Sequence, residues 1–254
     1  MIPTWLHVLA IISLLVGALS ALIIAVDIKR HPQPMAVMNA VWPISGLYAG
    51  PLALWGYGRF GRAAPYGTSH EKHPRLEQPH AGMAQHSSHD GAAETPHFAI
   101  VGKGAAHCGA GCTLGDILAE WLVFFVPAIA VWFGWHSLFD EKIFAVWILD
   151  FIVAFGFGIA FQYHAIKPMS DLSPSQVLIA AIKADTLSLT AWQVGMYGFM
   201  AIAHFGLFAG LLGAALDVNS AEFWFMMQIA MVCGFMTAYP VNAWLIRKGI
   251  KEAM

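Results

Sequence analysis

Long apolar runs alternate with short polar joints along the chain. Six runs of about 20 residues stand out, at 5–26, 35–57, 114–135, 143–163, 187–211 and 223–245. A helix rises 1.5 Å per residue, so each is long enough to cross a hydrocarbon layer of roughly 30 Å. The pattern predicts an all-α integral membrane bundle with about six transmembrane helices. Thr113 with Asp116, Ser173 with Gln176 and Asn219 with Glu222 mark helix starts, because a side chain at that spacing can cap free backbone N–H groups. Pro174 follows Ser173 at a first helical position. The stretch 174–211 exceeds one perpendicular crossing, so an interfacial helix is expected near 174–186. Pro43, Pro127 and Pro240 fall inside predicted spans, where each removes a backbone hydrogen bond and kinks its helix.

The pattern changes between the second and third runs. Residues 59–112 are rich in Gly, Ala, Pro, Ser and His, with too few large apolar side chains to form a core of their own. Three parts follow: a transmembrane hairpin at 1–58, a His-rich flexible cytoplasmic loop at 59–112 ending in a Cys turn, and a four-helix transmembrane part at 113–254. His70, His73, His80, His86, His89, His97 and His107 resemble a loose metal-gathering tract rather than one defined site, with a plain polar linker as the alternative. In His107-Cys108-Gly109-Ala110-Gly111-Cys112, two thiols and an imidazole stand beside a glycine turn that opens a helix. Such soft donors suit Cu(I) or Zn(II). The spacing is C-x3-C rather than the C-x2-C of the commonest zinc turns, and no second pair completes a four-cysteine site.

Composition sharpens the picture. Only 11% of the 254 residues are charged and 58% are hydrophobic, against roughly a quarter charged in soluble domains. A net charge of -2 offers no basic field for nucleic acid. With six spans, Arg59, Arg62, Lys72, Arg75, Lys103, Lys167, Lys183, Arg247, Lys248 and Lys251 share one side, and Lys29, Arg30 and Lys142 the other. The positive-inside rule then places both termini and the His-rich loop in the cytoplasm, in the cell (inner) membrane. Lys29 and Arg30, just after the first span, point the other way. The first run lacks a basic leader and is too long for a secretory signal, so it reads as a retained span.

Acids inside spans are expensive and mark function by default, which singles out Glu120 and Asp150. In the fifth run Thr186, Thr190, Gln193, Tyr197, Met200 and His204 recur at steps of three and four, and Met196, Met200 and His204 form a soft-donor ladder. The leading expectation is a protein that binds or transports a soft transition metal, Cu or Zn. Cys108, Cys112 and His107 would dock it, and Glu120, His164 and His204 would line its route, with His164 as the partner of Glu120 in the inner leaflet. The alternatives are a membrane oxidoreductase holding haem b between His7 and His164 or between His136 and His204, and a non-catalytic membrane scaffold. The bilayer and a metal ion are the expected partners, and an oligomer or a cupredoxin-type partner is compatible with this reading.

Four blocks carry a resemblance: Pro32 to Met35 with Asn39 to Pro43; His107 to Asp116; Lys183 to Ala191; and Tyr239 to Asn242 leading to Arg247 to Glu252. They are similar to a bacterial multi-pass membrane family catalogued as domain of unknown function 4396. Members of that family are sometimes labelled copper oxidase through fused cupredoxin domains. The resemblance implies a membrane bundle and carries over no catalytic residues.

Overall fold

A computed structural model describes residues 2–63 and 96–251 of the chain. The described residues form α1 (Thr4–Ile28), α2 (Met38–Ala49), α3 (Pro51–Gly56) running into a π-helical turn (Tyr57–Gly61), α4 (His97–Phe125), α5 (Ala128–Trp132), α6 (Lys142–Ile166), α7 (Pro174–Ala201) continuing as a π-helical stretch (Ile202–Leu212), and α8 (Ala221–Arg247). Among the described residues, five helices are long and apolar enough to cross a membrane: Thr4–Ile28, His97–Phe125, Lys142–Ile166, Pro174–Leu212 and Ala221–Arg247. The helical membrane bundle read from hydropathy is present.

The second apolar run differs from expectation. α2 stops at Gly50, whose φ of +52° suits glycine alone, and Pro51 opens α3 at its first position. Gly46 packs on Ala21, and Gly50 lies beside Val16, midway along α1. The chain then returns: Tyr57 Oη donates to Asp27 Oδ2 at 2.8 Å and Arg62 pairs with Asp27 at 2.9 Å, at the end of α1 where α2 began. The run is therefore a re-entrant hairpin reaching half way through the bundle. Broken backbone at that depth is tolerated where protein covers it, and Gly50 is buried.

The two described ends, Ile2 and Lys251, lie at opposite ends of the bundle, which corrects the expected common side for both termini. His7 Nδ1 meets Glu222 Oε1 at 2.6 Å, so α1 and α8 start together. Lys251, beyond the end of α8, reaches the Gly104 carbonyl near the start of α4. The basic residues sort accordingly. Lys29, Arg30, Arg59, Arg62, Lys103, Lys167, Lys183, Arg247, Lys248 and Lys251 lie at or within about two turns of the end holding Lys251. Among the described residues only Lys142 lies at the other end. Lys29 and Arg30, which opposed the six-span reading, join the majority. We call these the basic end and the far end.

α4 is the centre of the bundle. It runs antiparallel to α6 with Gly111 against Gly158 and Gly115 against Ala154, so closely that a Cβ on the α4 glycines would lie 3.0 and 2.7 Å from α6 backbone atoms. Small residues spaced four apart on both helices allow this approach. The expected Cys turn is thus corrected: 107–116 is the interior of one helix, and 97–112 belongs to the bundle rather than to a loop. Thr113 does not cap; its hydroxyl donates to the Gly109 carbonyl at 2.7 Å within the helix. Ser173 and Gln176 do form the expected capping box, and α7 continues from there unbroken through the stretch expected to lie at the interface. Ser220, one residue beyond the expected Asn219, caps α8.

Candidate functional site

α4, α6, α7 and α8 enclose polar side chains in two layers. Nearest the basic end, Cys108 Sγ lies 2.7 Å from Ser188 Oγ, 3.1 Å from Asp185 Oδ1 and 3.2 Å from Lys251 Nζ. Lys251 Nζ is 3.6 Å from Asp185 Oδ1, and both side chains are fully buried. Gly249, at φ +66°, ends α8 and turns the chain back so that Lys251 enters the bundle. Burial works against the charge of this amine, but Cys108 and Asp185 beside it outweigh that and raise its pKa. Asn242 Nδ2 donates to Ser188 Oγ at 2.7 Å. His107 is fully buried against Phe161 with neither ring nitrogen partnered. The α4–α6 register, continued one turn, sets it level with Gln162.

The second layer lies toward the far end. Asp116 and Asp150 face each other, both buried, and Tyr197 Oη donates to Asp150 Oδ2 at 2.7 Å. Two carboxylates offer only acceptors, so contact between them closes when one carries a proton. Between the layers sit Cys112 and Gln193, both buried. Glu120, also buried, follows one turn beyond Asp116, with Lys142 as a nearby cation. α4 thereby carries Cys108, Cys112, Asp116 and Glu120 at four-residue steps on one face, spanning about 18 Å. Asp116 also lines a cavity of about 210 Å³ with Tyr48, Gln228 and Met231.

Among the described residues, fourteen buried side-chain nitrogens and oxygens lack a hydrogen-bond partner; seven of them belong to His107, Gln162, Asp185, Gln193 and Asn242, and three more are oxygens of the Asp116–Asp150 pair, which meet only through a shared proton. Buried polar groups in folded proteins are overwhelmingly partnered. Their concentration along one strip sets it apart from the rest of the bundle.

The candidates read from sequence are only partly brought together. Cys108 and Cys112 occupy consecutive turns of the file, and His107, beside Cys108 in the same turn, packs on Phe161. Glu120 is in the file but at the far end, because α4 starts at His97 rather than near Thr113. His164 is exposed near the basic end and bonds the Ala160 carbonyl through Nδ1 at 2.8 Å. The α4–α6 register separates it from Glu120 by about 22 Å along the axis, so the expected pair is not formed. His204 lies in the π-helical stretch, half-buried. The haem pairing of His7 with His164 fails because they sit at opposite ends. Met196 and Met200 pack in the apolar core with Met226, Met227 and Met231. His70, His73, His80, His86 and His89 lie outside the described residues. Among the described ones, no group of three or more His, Cys, Asp or Glu could hold a metal ion.

Sequence reasoning missed Asp185, Ser188, Gln162, Asn242 and Lys251 as site residues and gave Asp116 to a cap. The buried face of α7 carries Asp185, Ser188, Trp192, Gln193 and Met196, rotated from the stripe through Thr186 and Thr190. An acid at position 185 within a long apolar helix was the available signal.

No curated protein and no solved structure matches the chain. Residues 98–251 match the family model described as Domain of unknown function (DUF4396). The match runs from the second residue of α4 to Lys251 and contains the whole polar file, and the chain belongs to this family.

Proposed function

We propose that the protein moves protons across a membrane along the file from Lys251 to Glu120. The observation that carries this reading is the strip of unpartnered buried polar atoms joining two ionisable layers. Groups of this kind in a bilayer are satisfied by ordered water, and alternating side chains and water are what a proton relay uses. The Asp116–Asp150 pair is the storage point, with one proton between two carboxyls. The cavity beside Asp116, about 210 Å³, exceeds the roughly 10–15 Å³ that one water needs. Tyr197 fixes Asp150 and leaves Asp116 free to face that cavity. By the positive-inside rule the basic end is cytoplasmic and the N-terminus lies outside. Reporters fused at the two termini should then give opposite signals, and identical signals would overturn the orientation.

The test is purified protein in vesicles with an enclosed pH dye and a potassium-diffusion potential. Wild type should acidify the lumen faster than empty vesicles. Asp116→Asn and Asp150→Asn, which keep shape and remove the titrating group, should each slow this at least tenfold while purifying normally. Wild-type flux no faster than empty vesicles, or full flux in both variants, would sink the proposal.

A soft metal ion as cargo is the second reading, favoured by Cys108 and Cys112 stacked one turn apart on the file. Cu(I) or Zn(II) is then a passing substrate rather than a resident cofactor. Metal-dependent proton flux lost in both Cys108→Ser and Cys112→Ser supports it, and flux indifferent to metal removes it.

A further inference from the structure

A second cavity, separate from the polar file, lies between the re-entrant hairpin and the α4–α8 pair. Its volume is about 360 Å³, within the roughly 300–1,000 Å³ of small-molecule sites. The walls are apolar and aromatic, with Trp42, Trp55, Phe60, Phe98 and Phe235 facing it. The cleft sits toward the basic end: Phe60 packs edge-on to Phe98 at 5.4 Å, joining the hairpin's return to the start of α4.

One charged side chain stands in this wall. Lys103 lines the cleft, is half-buried, and among the described residues has no hydrogen bond or ion pair. Helix register sets it level with Ile166, the last residue of α6, which is headgroup rather than mid-membrane depth. Arg59 adds a second cation at the rim, its guanidinium carbon 5.3 Å from the Phe60 ring centre. Among the described carboxylates at this end, Asp27 pairs with Arg62 and Asp185 with Lys251, and Asp171, in the loop between α6 and α7, does not line the cleft. An apolar slot ending at an uncompensated amine calls for an anion on a hydrocarbon tail. Basic pockets between membrane helices take anionic lipid headgroups for this reason, and a neutral lipid or a quinone would leave the Lys103 charge unanswered.

We propose that the cleft is a binding site for an anionic phospholipid of the surrounding bilayer, with an acyl chain between Trp42, Trp55 and Phe235 and the phosphate on Lys103. The site is independent of proton movement, so either proposal can fail alone.

The experiment is native mass spectrometry of the detergent-purified full chain titrated with phosphatidylglycerol, phosphatidylcholine or a long-tailed quinone. Wild type should retain phosphatidylglycerol at least fivefold better than phosphatidylcholine. Lys103→Gln should bring that ratio close to one without changing total lipid binding much. Gly102 lines the cleft and faces open space, with nothing within 4 Å of a Cβ placed there. Gly102→Phe should therefore fill the slot and lower retention of both lipids while the protein still folds. Equal retention of the two lipids by wild type, a preference that survives Lys103→Gln, or tighter retention of the quinone would each overturn the assignment.

Discussion

α1 and α4 are built on opposite terms. The best window of α1 has a mean hydropathy of 2.8 and is only 22% buried, whereas that of α4 has 1.4 and is 61% buried. In water the more apolar helix would be the more buried. In lipid the apolar side chains need no shelter, and Leu15, Leu19 and Leu22 of α1 face outward. The interior goes to the helix whose small residues admit close neighbours and whose polar groups must be kept from hydrocarbon. The hairpin belongs with α1: Leu52 and Trp55, at the open mouth of the cleft, are exposed, and the Asp27–Arg62–Tyr57 clasp ties the hairpin to that helix. The family match stops short of both and covers the polar sector.

The contrast can be broken most forcefully inside that sector. Lys251→Met leaves Asp185 as an uncompensated buried charge, so stability should fall by about 3–5 kcal/mol. Adding Asp185→Leu should recover most of the loss, as read by thermal unfolding in detergent. The raised pKa of Lys251 also fixes the pH window. Its contribution is complete below an unfolded value of about 10.4 and fades as pH climbs through the higher folded value, so the stability advantage of wild type over Lys251→Met should be lost only in strong alkali.

A smaller effect should come from the helix contact. Gly115→Leu pushes a side chain into Ala154 and should destabilise by about 1–3 kcal/mol. Gly198→Leu, which meets nothing within 4 Å, should leave the melting midpoint unchanged. Equal effects at the two positions would mean that α4 and α6 are not in close contact.

The α1 sector should yield less. Asp27→Asn weakens a partly exposed clasp, its partner Arg62 being 50% exposed, so a loss below about 1 kcal/mol is expected. Faster hydrogen exchange at Tyr57 to Arg62 should reveal it even where the midpoint barely moves. Leu15→Ala, on the outward face, should stay within about 0.5 kcal/mol of wild type. A large loss there would mean that another protein surface covers α1.

Much of this architecture was legible in the apolar runs, because length and hydropathy report a crossing directly. The half-crossing was not, since a window of apolar residues at 35–57 looks the same whether the chain goes through or turns back. The distinguishing mark was Gly50-Pro51 at its centre, a turn dipeptide where a span has none. The stretch from Cys108 to Cys112 misled for a related reason. Glycines that open a turn in water are, between helices in lipid, the places where backbones touch. Glu120 was recognised as a buried acid but set at the same end of the bundle as His164, because the helix start was placed at Thr113 rather than at His97. The Lys251 cluster depends on a reversal at Gly249 that brings residues 143 apart into contact, and no local pattern announces that.

The opposite placement of the two described ends has a practical side. A domain appended after Lys251 would stand at the basic end, beside Cys108. The same domain appended before Ile2 would stand at the far end, beside His7 and Glu222. On the proposed transport reading, a donor or acceptor attached to one terminus would serve one mouth of the file, and the choice of terminus would decide whether it delivers or receives.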